Sequence, residues 1–233
     1  MSKLAKSLPI LGSVVVLGYL NTNLVTRAIS PVNKPSSASA PSTQAQKPNT
    51  LSDTQVIPGV RVGPVTRNTT RQDLAKRFGA ARLKDQPINI GEGETEPGTR
   101  VELGSKRSFS VVWTDSTRSK AKEIRYLGSD WRTPQGIGVG TSLAQLQQKL
   151  GTFKLYGFAW DYGGTVLLEG TKLAQYDQKL ILRLRIAPDA ARKSPNDFKA
   201  VMGERQFSSN NPHLRSLKPE VGEMIVQLAP NRE

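Results

Sequence analysis

The sequence predicts an α+β fold. The expected fold is an antiparallel sheet with two short, repeat-related helices packed on one face, preceded by a signal or anchor segment and a disordered tether. Three observations carry this expectation. "TTRQDLAKRFG" (69–79) and "TSLAQLQQKLG" (141–151) superimpose without a gap at an offset of 72 residues. Beyond residue 57, short apolar runs alternate with glycine and proline turns, the punctuation of strands. The first 56 residues show neither pattern.

From the N-terminus, Lys3 and Lys6 precede an apolar run from Leu8 to Leu20. That run is short for a bilayer span but fits the core of an export signal. Ala28-Ile29-Ser30 is a small-x-small cleavage candidate, and an uncleaved membrane anchor reaching Val25 is the alternative. Residues 1–30 are therefore read as a signal peptide or anchor. Residues 31–56, "PVNKPSSASAPSTQAQKPNTLSDTQV", hold no aromatic residue and few aliphatic ones. Such a stretch buries too little surface to offset the ordering of its backbone, so it is read as a disordered linker. The folded domain is expected to begin near Ile57 and run to residue 233.

Within that domain, repeat unit 1 is assigned to 57–128 and repeat unit 2 to 129–170. Each helix opens on a capping-box pattern, Thr70-x-x-Asp73 and Ser142-x-x-Gln145, in which a hydroxyl accepts from an orphan amide and a polar side chain reaches back. Leu74 and Phe78, like Leu146 and Leu150, stand four apart and give one buried stripe, and Gly79 and Gly151 suit a left-handed C-cap. Each helix is followed by a tryptophan-aspartate segment, "SVVWTDS" and "GFAWDYGG". Strands are expected at 109–113, 123–128, 164–170, 180–186 and 222–229. In "LILRLRI", Leu182, Leu184 and Ile186 alternate with Arg183 and Arg185, as in a sheet with one covered face. Residues 171–233 are read as a β-rich C-terminal segment.

Composition narrows the chemistry. The chain has no cysteine, which removes disulfides, thiolate nucleophiles, cysteine zinc sites and lipid attachment to cysteine. Its single histidine, His213, rules out a multi-histidine metal site and is the one base available to a serine triad. No metal and no cofactor are expected. The net charge is +14; five cations and Asp53 account for +4 in residues 1–56, leaving +10 on the folded part. Arg118, Lys120, Lys122 and Arg125 in "RSKAKEIR", with Arg183 and Arg185, are the anion-binding candidates, for an anionic polymer or lipid. No nucleic-acid module is visible, and none is expected as a partner.

Other candidates have plainer readings. "GIGVGTS" (136–142) lacks the Gly-Lys-Ser/Thr ending of a phosphate loop and reads as a turn into a helix cap. Glu92, Glu94, Glu96 and Glu102 read as a solvated hairpin tip, since the calcium-loop spacing is absent. Asp115 and Asp161, each beside a tryptophan, form the carboxylate pair of an alternative reading as an envelope hydrolase. Their equivalence in the repeat favours a structural role. His213 reads as a surface histidine.

The glycine-preceded "T-x-x-x-L" helix ending in "[FL]-G" before an aromatic segment, over roughly 59–79 and 134–164, resembles two families. One is the small lipoprotein of the outer-membrane assembly machinery; the other is the tandem repeats of the β-lactamase inhibitor protein. The resemblance implies two short helices on an antiparallel sheet and a role in binding other proteins. The chain departs from the first family by lacking the lipid-bearing cysteine and from the second by lacking cysteines altogether. "EGETEPGTRVEL", "SDWRTPQGIGVGTS" and "GFAWDYGG" also resemble uncharacterised exported bacterial proteins, which brings no activity. The resulting expectation is a non-enzymatic binding module, periplasmic or extracellular, held to a membrane only through residues 8–25 if these are uncleaved, that contacts a protein or cell-envelope component. Its contact rings are expected among Trp131, Tyr156, Phe158 and Tyr162.

Overall fold

The computed structural model describes residues 53–228. The expected export segment and residues 31–52 of the linker lie outside the described residues. The fold is mixed α and β, with antiparallel sheets and few helices. The described residues before Ile57 already make contacts with the domain. Val56 is fully buried and pairs with Val62, and Asp53 meets Arg61 at 2.6 Å, so a hydrophobic anchor and an ion pair draw the end of the predicted linker into the domain.

In chain order, β1 (Val56–Ile57), β2 (Arg61–Val62) and β3 (Val65–Thr66) form a small sheet that leads into α1 (Arg71–Phe78). A long hairpin of β4 (Leu83–Gly91) and β5 (Glu94–Val101) follows, then β6 (Phe109–Trp113) and β7 (Ala121–Arg125). Helix α2 (Leu143–Leu150) precedes β8 (Lys154–Tyr156), β9 (Val166–Leu167) and β10 (Leu180–Arg185). Three short helices, α3 (Pro188–Lys193), α4 (Pro195–Ala200) and α5 (Leu214–Leu217), flank β11 (Gln206–Ser208). Strand β12 (Glu220–Gln227) ends the described chain. The described part of the C-terminal segment, expected to be β-rich, thus holds three short helices beside its three strands. Pro188 and Pro195 start α3 and α4, where a missing N–H costs nothing.

The main sheet has six strands in the order β10-β12-β7-β6-β5-β4, all antiparallel. Its core face carries Leu180, Leu182, Met224, Val226, Ile124, Val111 and Phe109 in register. Phe78 of α1 packs edge-on against Phe109 at 5.8 Å between centroids, and Leu143, Leu146 and Leu150 of α2 join the same apolar cluster. Both capping boxes form as the sequence predicts: Thr70 and Ser142 accept from the amides of Asp73 and Gln145, whose side chains accept in return from the two capping residues' own amides. Gly79 and Gly151 take positive φ (91° and 85°), but their ψ values are extended. Each helix therefore ends by turning outward rather than in a left-handed cap.

The tryptophans break the repeat. Trp113 lies fully buried in β6 and donates its indole N–H to Thr99, whereas Trp160 sits in the loop between β8 and β9. Of the expected strand at 164–170, Val166–Leu167 pairs with β8 and Thr165 forms an isolated bridge to Arg183.

Candidate binding surface

The predicted contact rings separate into two pairs. Trp131 is fully buried, donates its indole N–H to the Arg107 carbonyl at 2.9 Å and packs edge-on against Phe109 at 5.3 Å. Phe158 is 5% exposed, in a bridge to Met202. Both are core residues and present no ring to a partner, because close packing, and for Trp131 a satisfied indole N–H, holds them inside. Tyr156 is half-buried and Tyr162 is 38% exposed.

Trp160 joins these two tyrosines. Its ring meets Tyr156 at 5.5 Å and 89°, and Tyr162 at 5.4 Å and 70°. Sequence reasoning missed Trp160 as a contact ring because it made the residue an equivalent of the core Trp113. The dipeptide Gly163-Gly164 after Tyr162 was the available signal, since it marks a tight loop rather than a strand. An added Cβ at Gly164 would lie 2.2 Å from the Leu184 carbonyl oxygen, so only glycine lets the loop fold against β10. Ala159 at φ 67° adds a strained residue to the same loop.

A charged layer supports the rings. The Arg183 guanidinium lies 5.6 Å from the Tyr162 ring centroid, and the Tyr162 hydroxyl donates to Glu92 at 2.7 Å. That hydrogen bond raises the tyrosine's pKa above its ordinary value. Arg183 pairs with Glu223 at 3.4 Å, and Glu223 lies 3.9 Å from Arg125. Arg125 is ion-paired with Glu123 and donates to the Ile90 carbonyl at 3.1 Å. Ile90 and Glu92 belong to the tip of the β4–β5 hairpin, where Glu92 and Gly93 both take positive φ, as a two-residue hairpin loop requires. The circuit therefore closes: hairpin tip, Tyr162, Arg183, Glu223, Arg125 and back to the tip.

This pairing changes the predicted cationic stripe. Arg118 lies 3.8 Å from Asp85, Lys122 2.6 Å from Glu96 and Arg185 2.7 Å from Glu220. With Arg125 and Arg183, five of the six anion-binding candidates already have a carboxylate partner, and Lys120 alone of the six is in no salt bridge among the described residues. Most of these partners come from other strands, whereas Glu123 lies two residues from Arg125 on β7 itself.

The chemical candidates lie apart, each in its own local setting. Asp115 accepts from the Thr117 amide and hydroxyl, which hold its carboxyl below the ordinary range, the wrong direction for a general acid. Asp161 is exposed in the aromatic loop. The "GIGVGTS" amides are engaged: Gly138 donates to Thr141, and Gly140 to the Val221 carbonyl. His213 is exposed, with Nδ1 2.8 Å from one oxygen of Asp197, while Ser216 donates to the other oxygen. Imidazole and hydroxyl address the same carboxylate rather than each other, so no nucleophile–base pair forms. Among the acidic residues, Glu92, Glu96 and Glu102 are engaged by Tyr162, Lys122 and Lys84, and no metal-binding cluster occurs among the described residues. No helix among the described residues is long and apolar enough to cross a membrane.

No protein family and no curated protein matches this chain. Among solved structures it is similar to the uncharacterised protein YfeY from Escherichia coli, at 15% identity and a TM-score of 0.40, over 72% of this chain and 97% of that one.

Proposed function

We propose that the domain is a non-enzymatic binding module that contacts a protein or cell-envelope component through the Tyr156–Trp160–Tyr162 cluster. In this reading the N-terminal segment exports and tethers it, and two repeat-related helices on one face of the sheet form the scaffold. The observation that carries the reading is the edge-to-face trio of rings on a braced surface loop. Aromatic residues beside arginine supply large contact area at low conformational cost, the composition of interface hot spots. Glycines that lock the loop and a hairpin that clasps it pre-organise the surface, which lowers the cost of association.

The test is affinity capture from envelope extract with the full chain, eluted in steps of salt. The wild-type chain is expected to retain a component beyond about 0.5 M salt, where exposed charge is screened. The double variant Trp160→Ala/Tyr162→Ala should lose it, by about 2 kcal/mol or more per hot-spot ring. Equal retention by the variant counts against this surface.

A further inference from the structure

The aromatic loop leaves much of the positive charge unused, and ion pairing decides where that charge is available. On β7 and β10 it is not, since Arg125, Arg183 and Arg185 are each neutralised by a glutamate. Around Thr66–Asn68 it is. Two open clefts, of about 510 and about 650 Å³, share Thr66 and Asn68 as a common wall. Lys76 and Arg77 line the first, along α1. Arg67 and Lys179 line the second, beside the β1–β2 turn. Among the described residues none of these four cations forms a salt bridge, and the Asn68 side chain makes no hydrogen bond. Asp73 is the one carboxylate in either lining; it offsets part of the first cleft's charge, and one of its oxygens is engaged by the Thr70 amide and hydroxyl.

The walls are fixed rather than accidental. The Arg67 carbonyl accepts from the Ala121 amide at 2.9 Å, which ties the shared wall to β7. The Lys179 stem crosses Gly59, where an added Cβ would lie 2.9 Å from Lys179 Cδ. Glycine at φ 78° thus gives the lysine its path over the turn.

We propose that the paired clefts bind a linear polyanion, a chain bearing phosphate or carboxylate groups at short intervals, laid from one cleft to the other past Asn68. A single small anion would engage the cations of one cleft only. A flat anionic membrane would meet the exposed Val60 and leave the concave walls unfilled, so the concavity favours a chain. The proposal goes beyond the aromatic-loop reading and uses none of its residues, so either can fail without the other.

The experiment titrates the full chain with fluorescently labelled polyphosphate and, separately, labelled polyglutamate across a salt series. The cleft variant Arg67→Gln/Lys76→Gln/Arg77→Gln/Lys179→Gln is expected to bind at least about tenfold more weakly, with its log-log salt slope reduced by roughly 3, as the loss of about four charge contacts requires. A charge-matched control, Arg192→Gln/Lys193→Gln/Lys199→Gln/Arg215→Gln on α3 to α5, should stay within about twofold of wild type. All eight side chains are exposed, so folding should survive and is checked by circular dichroism. Binding of either polymer that follows this pattern supports the proposal. Equal loss in the control would show that net charge alone governs binding, and wild-type affinity in the cleft variant would place the site elsewhere; either overturns it. Cleft-dependent binding to phosphatidylglycerol vesicles with no binding to either polymer also overturns it, in favour of a lipid surface.

Discussion

Glu123 and Arg125 form an ion pair whose side chains are only 4% and 7% exposed, with Gln227 donating to the second carboxylate oxygen. Removing one partner of such a pair strands the other, so Glu123→Ala is expected to cost about 3–5 kcal/mol. Replacing both at once, as Glu123→Leu/Arg125→Met, should be nearer neutral. Guanidinium unfolding of the three chains decides this, and equal losses in single and double variants would refute it. The tryptophans offer a second check. Trp113 and Trp131 are fully buried and Trp160 is half-buried, so one of three should be open to iodide quenching, and Trp160→Phe should abolish the quenched fraction. At this scale the sequence was only partly readable. The alternation around Arg183 placed it off the core face, but its partner Glu223 is 40 residues away. Trp131 and Trp160 look alike in sequence. What separates them is tertiary: the Arg107 carbonyl and the Phe109 ring enclose the first, while the Gly163-Gly164 turn holds the second at the surface.

Helices α1 and α2 were readable because their signals are local, a hydroxyl and an acceptor three residues apart. Thr70→Ala and Ser142→Ala are each expected to cost about 1 kcal/mol, and about 2 kcal/mol together, since the two caps share no partner. Denaturant midpoints of the single and double variants test this, and a midpoint unmoved by either change would mean that tertiary packing alone holds the helix start. Strands β6, β10 and β12 were readable through apolar runs and period-2 alternation. Helices α3 and α4 bury no residue and so carry no apolar stripe to detect. Strands β1, β2 and β3 have two residues each, too few for any period.

At the scale of the whole molecule, four aspartates among the described residues contribute to the response to acid. Hydrogen bonds from Thr70, Thr117 and His213 lower the pKa of Asp73, Asp115 and Asp197 respectively. At Asp85 burial raises the pKa, but the Thr99 hydroxyl and the charges of Arg71 and Arg118 outweigh it. A folded pKa below the unfolded value of 3.8 gives stability that is present above that value and lost as pH falls through the folded one. The unfolding midpoint should therefore fall below about pH 4, and Asp85→Asn should flatten part of that decline. A midpoint independent of pH between about 5 and 2.5 would contradict it. The fold class was readable because patterning decides it, whereas strand order was not, because it depends on pairings across long stretches of chain. One such pairing has a consequence for synthesis. Strand β12 is inserted between β10 and β7, and Gln227 reaches Glu123 across 104 residues. A growing chain that stops short of Glu220 has two open strand edges and a missing centre. The six-stranded sheet can therefore close only once β12 has been made, so β7 waits for a neighbour supplied about a hundred residues further along the chain.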